Sequence, residues 1–528
     1  MCSAERETRG PERETRGPER ATRRPERGTR GPERETHVPE RETRGLERGT
    51  RGPERGTRGV RGDRVGFESA GAVARAIRRK DVSAREVVAA HLEHVERVNP
   101  RLNAIVTLTA ERAMDQAALA DERLAAGQDV GPLHGLPVAH KDLADTAGVR
   151  TTYGSPLFAE HVPEHDDLVV ARMAAAGAIS LGKTNVPEFG LGSHTFNPVF
   201  GMTRNPYDHA RSAGGSSGGA AAALAAGMVT LADGSDVGGS LRNPASFCNV
   251  VGLRPTPGRV PSWPVAAPWS HLGVQGPMAR TVADTALLLS VLAGPDPRSP
   301  ISLETPGGDF TPPLEGDLRG LRVAWAPDLG GAVPVDAEVR DALRPVPSLF
   351  EGLGAEVTEA CLDLSGADDV FRTRRAWQLE LTHGALLDEH RDRLKPDAVW
   401  NIERGRELTG PDLARAERLQ SALHQRVLAF FERFDVLLAP VCQVVPFPAE
   451  LDYPHTVDGV DMETYLDWMA SCYLVTAMGC PALSVPAAFT PAGLPVGLQI
   501  VGPPRADARV LAVGHAFESA ARAGERRP

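Results

Sequence analysis

Residues 214–242 read GGSSGGAAAALAAGMVTLADGSDVGGSLR. Two glycine–serine clusters, Gly214–Gly219 and Val237–Ser240, enclose an alanine-rich run whose propensity predicts a helix over Ala220–Gly227. The pentapeptide Gly214–Gly218 also satisfies GxSxG, the strand-to-helix turn that carries the nucleophile of α/β-hydrolases. That turn needs an apolar strand running into its first glycine. What precedes it here is Asn205-Pro-Tyr-Asp-His-Ala-Arg-Ser-Ala213, which is loop chemistry. Taken alone, the first cluster reads as a flexible Gly/Ser segment; its meaning depends on what surrounds it.

Outward from this stretch, helices and strands alternate. Ser83-Ala-Arg-Glu86 is a capping box that opens a helix toward Val98, with Val88, Leu92 and Val95 on one face and Asn99-Pro100 as its expected stop. Asn103–Leu108 reads as a strand, Ala110–Ala126 as a helix ended by Gly127, Asp167–Ala176 as a helix and Ala178–Leu181 as a short buried strand. Thr281–Ala293 is an apolar helix, followed by strand-like runs at Leu321–Trp325, Val436–Leu438, Ala482–Val485 and Val496–Val501. This alternation predicts an α/β protein with helices packed on a sheet. No linker interrupts residues 63–528, which favours one large domain over the three or four that 528 residues would suggest at about 150 per domain.

The net charge of −10 averages two unlike pieces. Residues 1–62 hold 17 Arg and 12 Glu, a net of +5, and the other 466 residues carry −15. The first segment repeats ERETRGP-like heptads over residues 5–60. No heptad position is regularly apolar and every unit contains Gly or Pro, half of them both, so a coiled coil is excluded and a disordered, low-complexity tail is expected. A misread start, with translation beginning at Val60 or Val65, is an alternative that N-terminal mass spectrometry would settle. A body at −15 argues against nucleic acid as a partner. Six scattered cysteines without a CxxC pair, no secretory leader and no apolar run near 20 residues predict a soluble, cytoplasmic chain.

Two further motifs dissolve on inspection. Gly177–Thr184 fits the phosphate-loop pattern GxxxxGK[ST], but a helix precedes it, the strand lies inside it and Pro187 follows. His134 and His140 lack metal-ligand spacing and read as structural histidines.

One constellation remains. Gly135-Leu-Pro-Val-Ala-His-Lys141-Asp142 is followed by Gly214-Gly-Ser216-Ser217-Gly-Gly219 and then by Asp236-Val-Gly-Gly-Ser240-Leu-Arg242-Asn-Pro244, with 24 residues from Ser216 to Ser240. Lys183-Thr-Asn-Val-Pro-Glu-Phe189, Gly201-Met-Thr-Arg-Asn-Pro206, Val251-Gly-Leu-Arg-Pro-Thr256, Gly479–Pro486 and Gly493–Gln499 complete the set. Together these resemble the amidase signature family over residues 68–295 and 435–515. Residues 296–430 carry no specific match.

The resemblance implies a single large α/β domain with a mixed central sheet covered by helices on both faces. It implies a serine amidohydrolase, without cofactor or metal, acting on a small-molecule amide; a homodimer is left open. In that family the nucleophile corresponds to Ser240, a bridging serine held in a cis peptide to Ser216, and the base to Lys141. The backbone N–H groups of Val237, Gly238, Gly239 and Ser240 correspond to the oxyanion hole, and Gly190 and Ser216 to the acyl pocket. Asp142, Ser217, Asp236 and Arg242 are expected to support the loops.

The residue types suit this chemistry. A serine hydroxyl is a weak nucleophile until a base removes its proton, and no histidine lies in either cluster. A lysine can serve only when neutral, which requires burial or a neighbouring cation to lower a pKa of about 10.4. Glycines leave backbone N–H groups free to converge on an oxyanion. The sequence departs from the common pattern at Asn249, after Cys248, and at Arg254, where many relatives have Lys; neither touches the three catalytic positions. Cys248 reads as a buried cysteine rather than a nucleophile. A second reading is the glutaminase component of a tRNA-dependent amidotransferase, although Tyr465–Ser471 does not resemble that protein's glutamine-binding segment. A third is an inactive binding protein on the same fold. Substrate choice is expected to lie in residues 296–430 and near Trp263, Trp269, Trp377 and Trp468.

Overall fold

A computed structural model describes residues 66–314 and 316–528. The expected tail, residues 1–62, lies outside the described residues. Gly59–Pro528 form one compact unit.

The strands follow in chain order as β1 (Ile105–Leu108), β2 (Pro137–Lys141), β3 (Ile179–Thr184), β4 (Phe196–Asn197), β5 (Gly201–Met202), β6 (Leu231–Asp236), β7 (Val251–Arg254) and β8 (Val274–Ala279). After them come β9 (Arg322–Trp325), β10 (Glu356–Glu359), β11 (Val436–Pro440), β12 (Thr456–Val457), β13 (Val460–Asp461), β14 (Ala482–Phe489) and β15 (Pro495–Val501). Eleven of them build one sheet in the order β1-β3-β2-β6-β8-β7-β14-β15-β11-β9-β10, and β4 pairs with β5 and β12 with β13 as small hairpins. The sheet is mixed. β3, β2 and β6 run parallel, as do β11, β9 and β10, while β6 through β11 are joined antiparallel.

Helices cover both faces, as the alternation of side chains shows. Val138, Leu231 and Ala279 belong to one apolar cluster; their chain neighbours Ala139, Ala232 and Met278 belong to another. Successive strand residues point to opposite faces, so the two clusters are the two sides of the sheet. The helices Ala84–Leu102 and Gly218–Ala225 pack into the second cluster, and Leu168–Ala175, Val282–Leu292 and Asp507–Ala521 into the first.

The expected elements form with small changes of boundary, and one stop signal fails. The capping box of Ser83 and Glu86 is made, but the helix continues through Pro100 to Leu102. Proline lacks an N–H and ordinarily ends a helix. Here the Asn99 side chain closes the end: its Oδ1 accepts the N–H of Ala104 and of Ile105, each at 2.9 Å. The phosphate-loop pattern at Gly177–Thr184 runs into strand β3, and its lysine lies within that strand rather than at the start of an α-helix. Gly182 has φ 145° and lies so close to β1 that a Cβ there would sit 1.8 Å from the Thr107 carbonyl oxygen.

Among the four tryptophans near the expected pocket, Trp468 is a core residue, 1% exposed and packed against Phe247 and Phe447. Trp468→Ala should therefore cost about 3–5 kcal/mol of stability, as large-to-small core changes do, measured by chemical denaturation.

Candidate active site

Parallel strands β2, β3 and β6 end at one edge of the sheet, the position at which open α/β sheets gather their ligand-binding groups. Lys141 is the last residue of β2 and is 1% exposed. Asp236 is the last residue of β6, and the loop Val237–Ser240 follows it. Ser216 and Ser217 precede the helix Gly218–Ala225, whose exit leads back into β6. One short excursion of chain thus carries both glycine–serine clusters to the end of the strand beside Lys141.

The contacts bring these groups together. Lys141 Nζ donates to Ser216 Oγ (2.8 Å), to Ser235 Oγ (2.9 Å) and to the Ser235 carbonyl (3.3 Å). Burial drives the Lys141 pKa down from 10.5 to about 7, against the pull of Asp236 and Asp233. The Gly215–Ser216 peptide is cis. The Ser217 N–H donates to the Ser240 carbonyl at 3.2 Å, so the two clusters touch directly. Gly190, with φ 70°, faces Ser216; a Cβ on it would lie 3.3 Å from Ser216 Oγ.

Asp236 organises the loop that bears Ser240. Its carboxylate accepts the N–H groups of Gly239 (2.9 Å) and Leu241 (3.1 Å), and it pairs with Arg242 (2.9 Å) and Arg254 (3.2 Å). All three side chains are fully enclosed. Burial opposes ionisation of the Asp236 carboxyl, yet Arg242 and Arg254 hold it well below the usual carboxylate range. Arg242 also reaches the Cys472 carbonyl, Thr476 and Gln499, tying the loop to the helix Ala470–Met478 and to β15.

These bonds alter one expectation. The Gly239 N–H is taken by Asp236, so of the four residues read as an oxyanion hole, Val237, Gly238 and Ser240 are the ones whose N–H groups have no acceptor among the described residues. Asp142 also acts at a distance. Its carboxylate accepts the N–H and hydroxyl of Thr152, its own N–H donates to Thr184 (3.0 Å), and it makes no side-chain contact with Lys141 or Ser216.

Several neighbours escaped sequence reasoning. Ser235 holds Lys141 Nζ, and Asp233 accepts the Lys141 N–H (3.2 Å) while pairing with His140 Nδ1 (2.7 Å). The signal for both was present: polar residues at alternate positions of an otherwise apolar, buried strand. Asn243 donates to Ser193 Oγ (2.9 Å), which donates to the Gly215 carbonyl (3.0 Å) and so steadies the first cluster. Nothing in a single sequence marks that chain. Burial pushes the Cys248 thiol far up, away from a nucleophile's range.

A cavity of roughly 250 Å³ opens beside Val237 and Ser235. Its far wall comes from the segment that carried no sequence signal, through Ser299 and Ile301 and through Gln378 and Thr382 of the helix Ala367–His390. Trp269 and Trp377 line a neighbouring groove, and Trp263 stacks under Arg298 at 4.4 Å.

Known proteins resemble this chain along most of its length. The Amidase family matches residues 86–511. The chain belongs to the amidase signature family. It is 37% identical to an acylamidase of Rhodococcus erythropolis over 463 residues, covering 87% of this chain and 97% of that one. It is also 37% identical to the A subunit of the glutamyl-tRNA(Gln) amidotransferase of a Synechococcus strain, over 85% of this chain and 95% of the other. A bacterial aryl acylamidase of the amidase signature family superposes with a TM-score of 0.81 at 32% identity, covering 88% and 99% of the two chains. A 6-aminohexanoate cyclic dimer hydrolase does so with 0.78 at 28%, again covering 88% and 99%. The protein is thus an amidase signature hydrolase acting on C–N bonds. Among its described residues no helix is long and apolar enough to cross a membrane.

Removing the carboxylate from Asp236 strands two buried guanidinium groups. Asp236→Asn should cost about 3–5 kcal/mol, as for other broken buried pairs, and a fall in thermal midpoint against wild type checks it.

Proposed function

We propose that this amidase hydrolyses a carboxylic amide to a carboxylate and ammonia or an amine through Ser240, Ser216 and Lys141. One observation carries the reading: a fully buried lysine, with its pKa lowered to about 7, in hydrogen-bond contact with Ser216 Oγ at 2.8 Å. A neutral amine has two N–H donors and one lone pair. With the Ser235 carbonyl and hydroxyl taking the two N–H groups, the lone pair is left for the Ser216 proton. Lys141 accepts that proton, Ser216 takes the proton of Ser240, and Ser240 Oγ attacks the amide carbon.

The oxyanion is stabilised by the N–H groups of Val237, Gly238 and Ser240, held by a loop that Asp236 closes from beneath. As the C–N bond breaks, the proton returns through Ser216 to the leaving nitrogen. Water then repeats the attack on the acyl-enzyme and releases the acid. The neutral lysine is the active form, so kcat/KM should rise with pH through about 7 and level off above it.

The equal identity to an amidotransferase component supports a second reading, glutaminase action within a tRNA-dependent assembly. Ammonia release separates the two. Turnover of aryl or alkyl amides by the isolated protein supports the first; turnover of glutamine alone, and only with partner proteins, supports the second. Ser240→Ala should abolish turnover and labelling by a fluorophosphonate, whereas full labelling of that variant refutes Ser240 as nucleophile. Lys141→Ala should lower kcat by about 2–4 orders of magnitude, the usual worth of a general base.

A further inference from the structure

Strand β8 places Gln275 directly across from Ser235 of β6, and Ser235 holds Lys141 Nζ. Both residues line the cavity beside Val237. Gln275 Oε1 is enclosed with no hydrogen-bond partner. A buried acceptor oxygen, one residue pair from the proposed base, is therefore unpaired. Buried polar groups are rarely left so, and those that are point to a partner absent from the protein itself.

The rest of the cavity says what that partner is. Gln378 and Thr382, one turn apart on the helix Ala367–His390, line the same cavity; the Gln378 side chain accepts from Ser270 Oγ at a marginal 3.5 Å, and its carbonyl accepts the Thr382 hydroxyl at 2.8 Å. Apolar groups such as Val237 and Ile301 complete the wall, and none of the lining residues is Asp, Glu, Lys, Arg or His. A carboxylate or ammonium entering here would lose its water without gaining a counter-charge. An uncharged group bearing an O–H or N–H would donate to the enclosed Gln275 Oε1 at no such cost. An enclosed acceptor of this kind also rejects an analogue that lacks the partner donor, because it is then left unpaired.

We propose that Gln275 is a specificity-determining residue whose carboxamide oxygen accepts a hydrogen bond from an uncharged O–H- or N–H-bearing substituent of the amide substrate, in a cavity that excludes charged ones. The proposal rests on the amidase reading above and narrows its substrate class; it disfavours a free α-amino acid such as glutamine, which is charged at both its α-groups.

The test uses para-substituted acetanilides and para-substituted benzamides, so that both sides of the scissile bond are sampled. Each series carries a 1-hydroxyethyl, an isopropyl or a carboxylate substituent. In at least one series the wild-type kcat/KM should favour 1-hydroxyethyl over isopropyl by about tenfold and over carboxylate by more. In Gln275→Leu and Gln275→Met the hydroxyethyl-to-isopropyl ratio should fall to near 1. Because the readout is a ratio on one variant, loss of folded enzyme cancels. The same three-way ranking should appear in calorimetric binding to Ser240→Ala, which reads the cavity independently of whether Ser240 is the nucleophile. A hydroxyethyl preference that survives both Gln275 variants, or a wild-type preference for carboxylate, overturns the proposal.

Discussion

One buried carboxylate holds the site together. Asp236 ends a central strand and receives two guanidinium groups and two backbone N–H groups in a region closed to solvent. A carboxylate so placed stays ionised because paired guanidinium groups and backbone N–H donors replace its water. The consequence is geometric. The chain between Asp236 and Leu241 is pulled into a tight arch, the Gly239 N–H is turned inward, and Ser240 is presented at the sheet edge where Lys141 emerges. Arg242 carries the same constraint outward to the helix Ala470–Met478 and to β15, so that distant strands of the sheet fix the position of the arch.

The second constraint is the burial of Lys141. In water an amine is protonated at neutral pH and useless as a base. At the end of β2 it is surrounded by Ser216, Ser235 and apolar neighbours, and desolvation outweighs the attraction of Asp233 and Asp236. Those carboxylates are themselves engaged, Asp236 by arginines and Asp233 by His140, which limits how far they favour the ammonium. Two neighbouring ionic networks thus do opposite things: one keeps a carboxylate charged, and beside it a lysine is poised to be neutral.

Much of this was legible in the chain. The α/β class followed from alternating periodicity, and Lys141, Ser216 and Ser240 stood out because their local contexts occur together and in order. What escaped reading was of two kinds. Some elements depended on one side chain overriding a general tendency, as Asn99 does in carrying a helix past Pro100. Others depended on contacts far apart in sequence: Gln275 beside Ser235, or Gln378 and Thr382 brought over the site by a helix in the stretch that matches no motif. The scaffold is shared with relatives whose names imply different work, an acylamidase and an amidotransferase component at equal identity. The proposal for Gln275 places selectivity in the parts that the shared motifs do not cover, in keeping with the rule that function resides in sites grafted on folds.

The central claim is that Lys141 rests as a neutral amine near physiological pH, and it can be observed without any substrate. The chain contains only four lysines, Lys80, Lys141, Lys183 and Lys395. Carbon-13 labelling of lysine side chains, with the Lys141 resonance assigned from its loss in Lys141→Arg, allows a direct NMR titration of the folded protein. A midpoint near 7 is the predicted result. A Lys141 signal that titrates in the ordinary lysine range, about 10.4, would contradict the account.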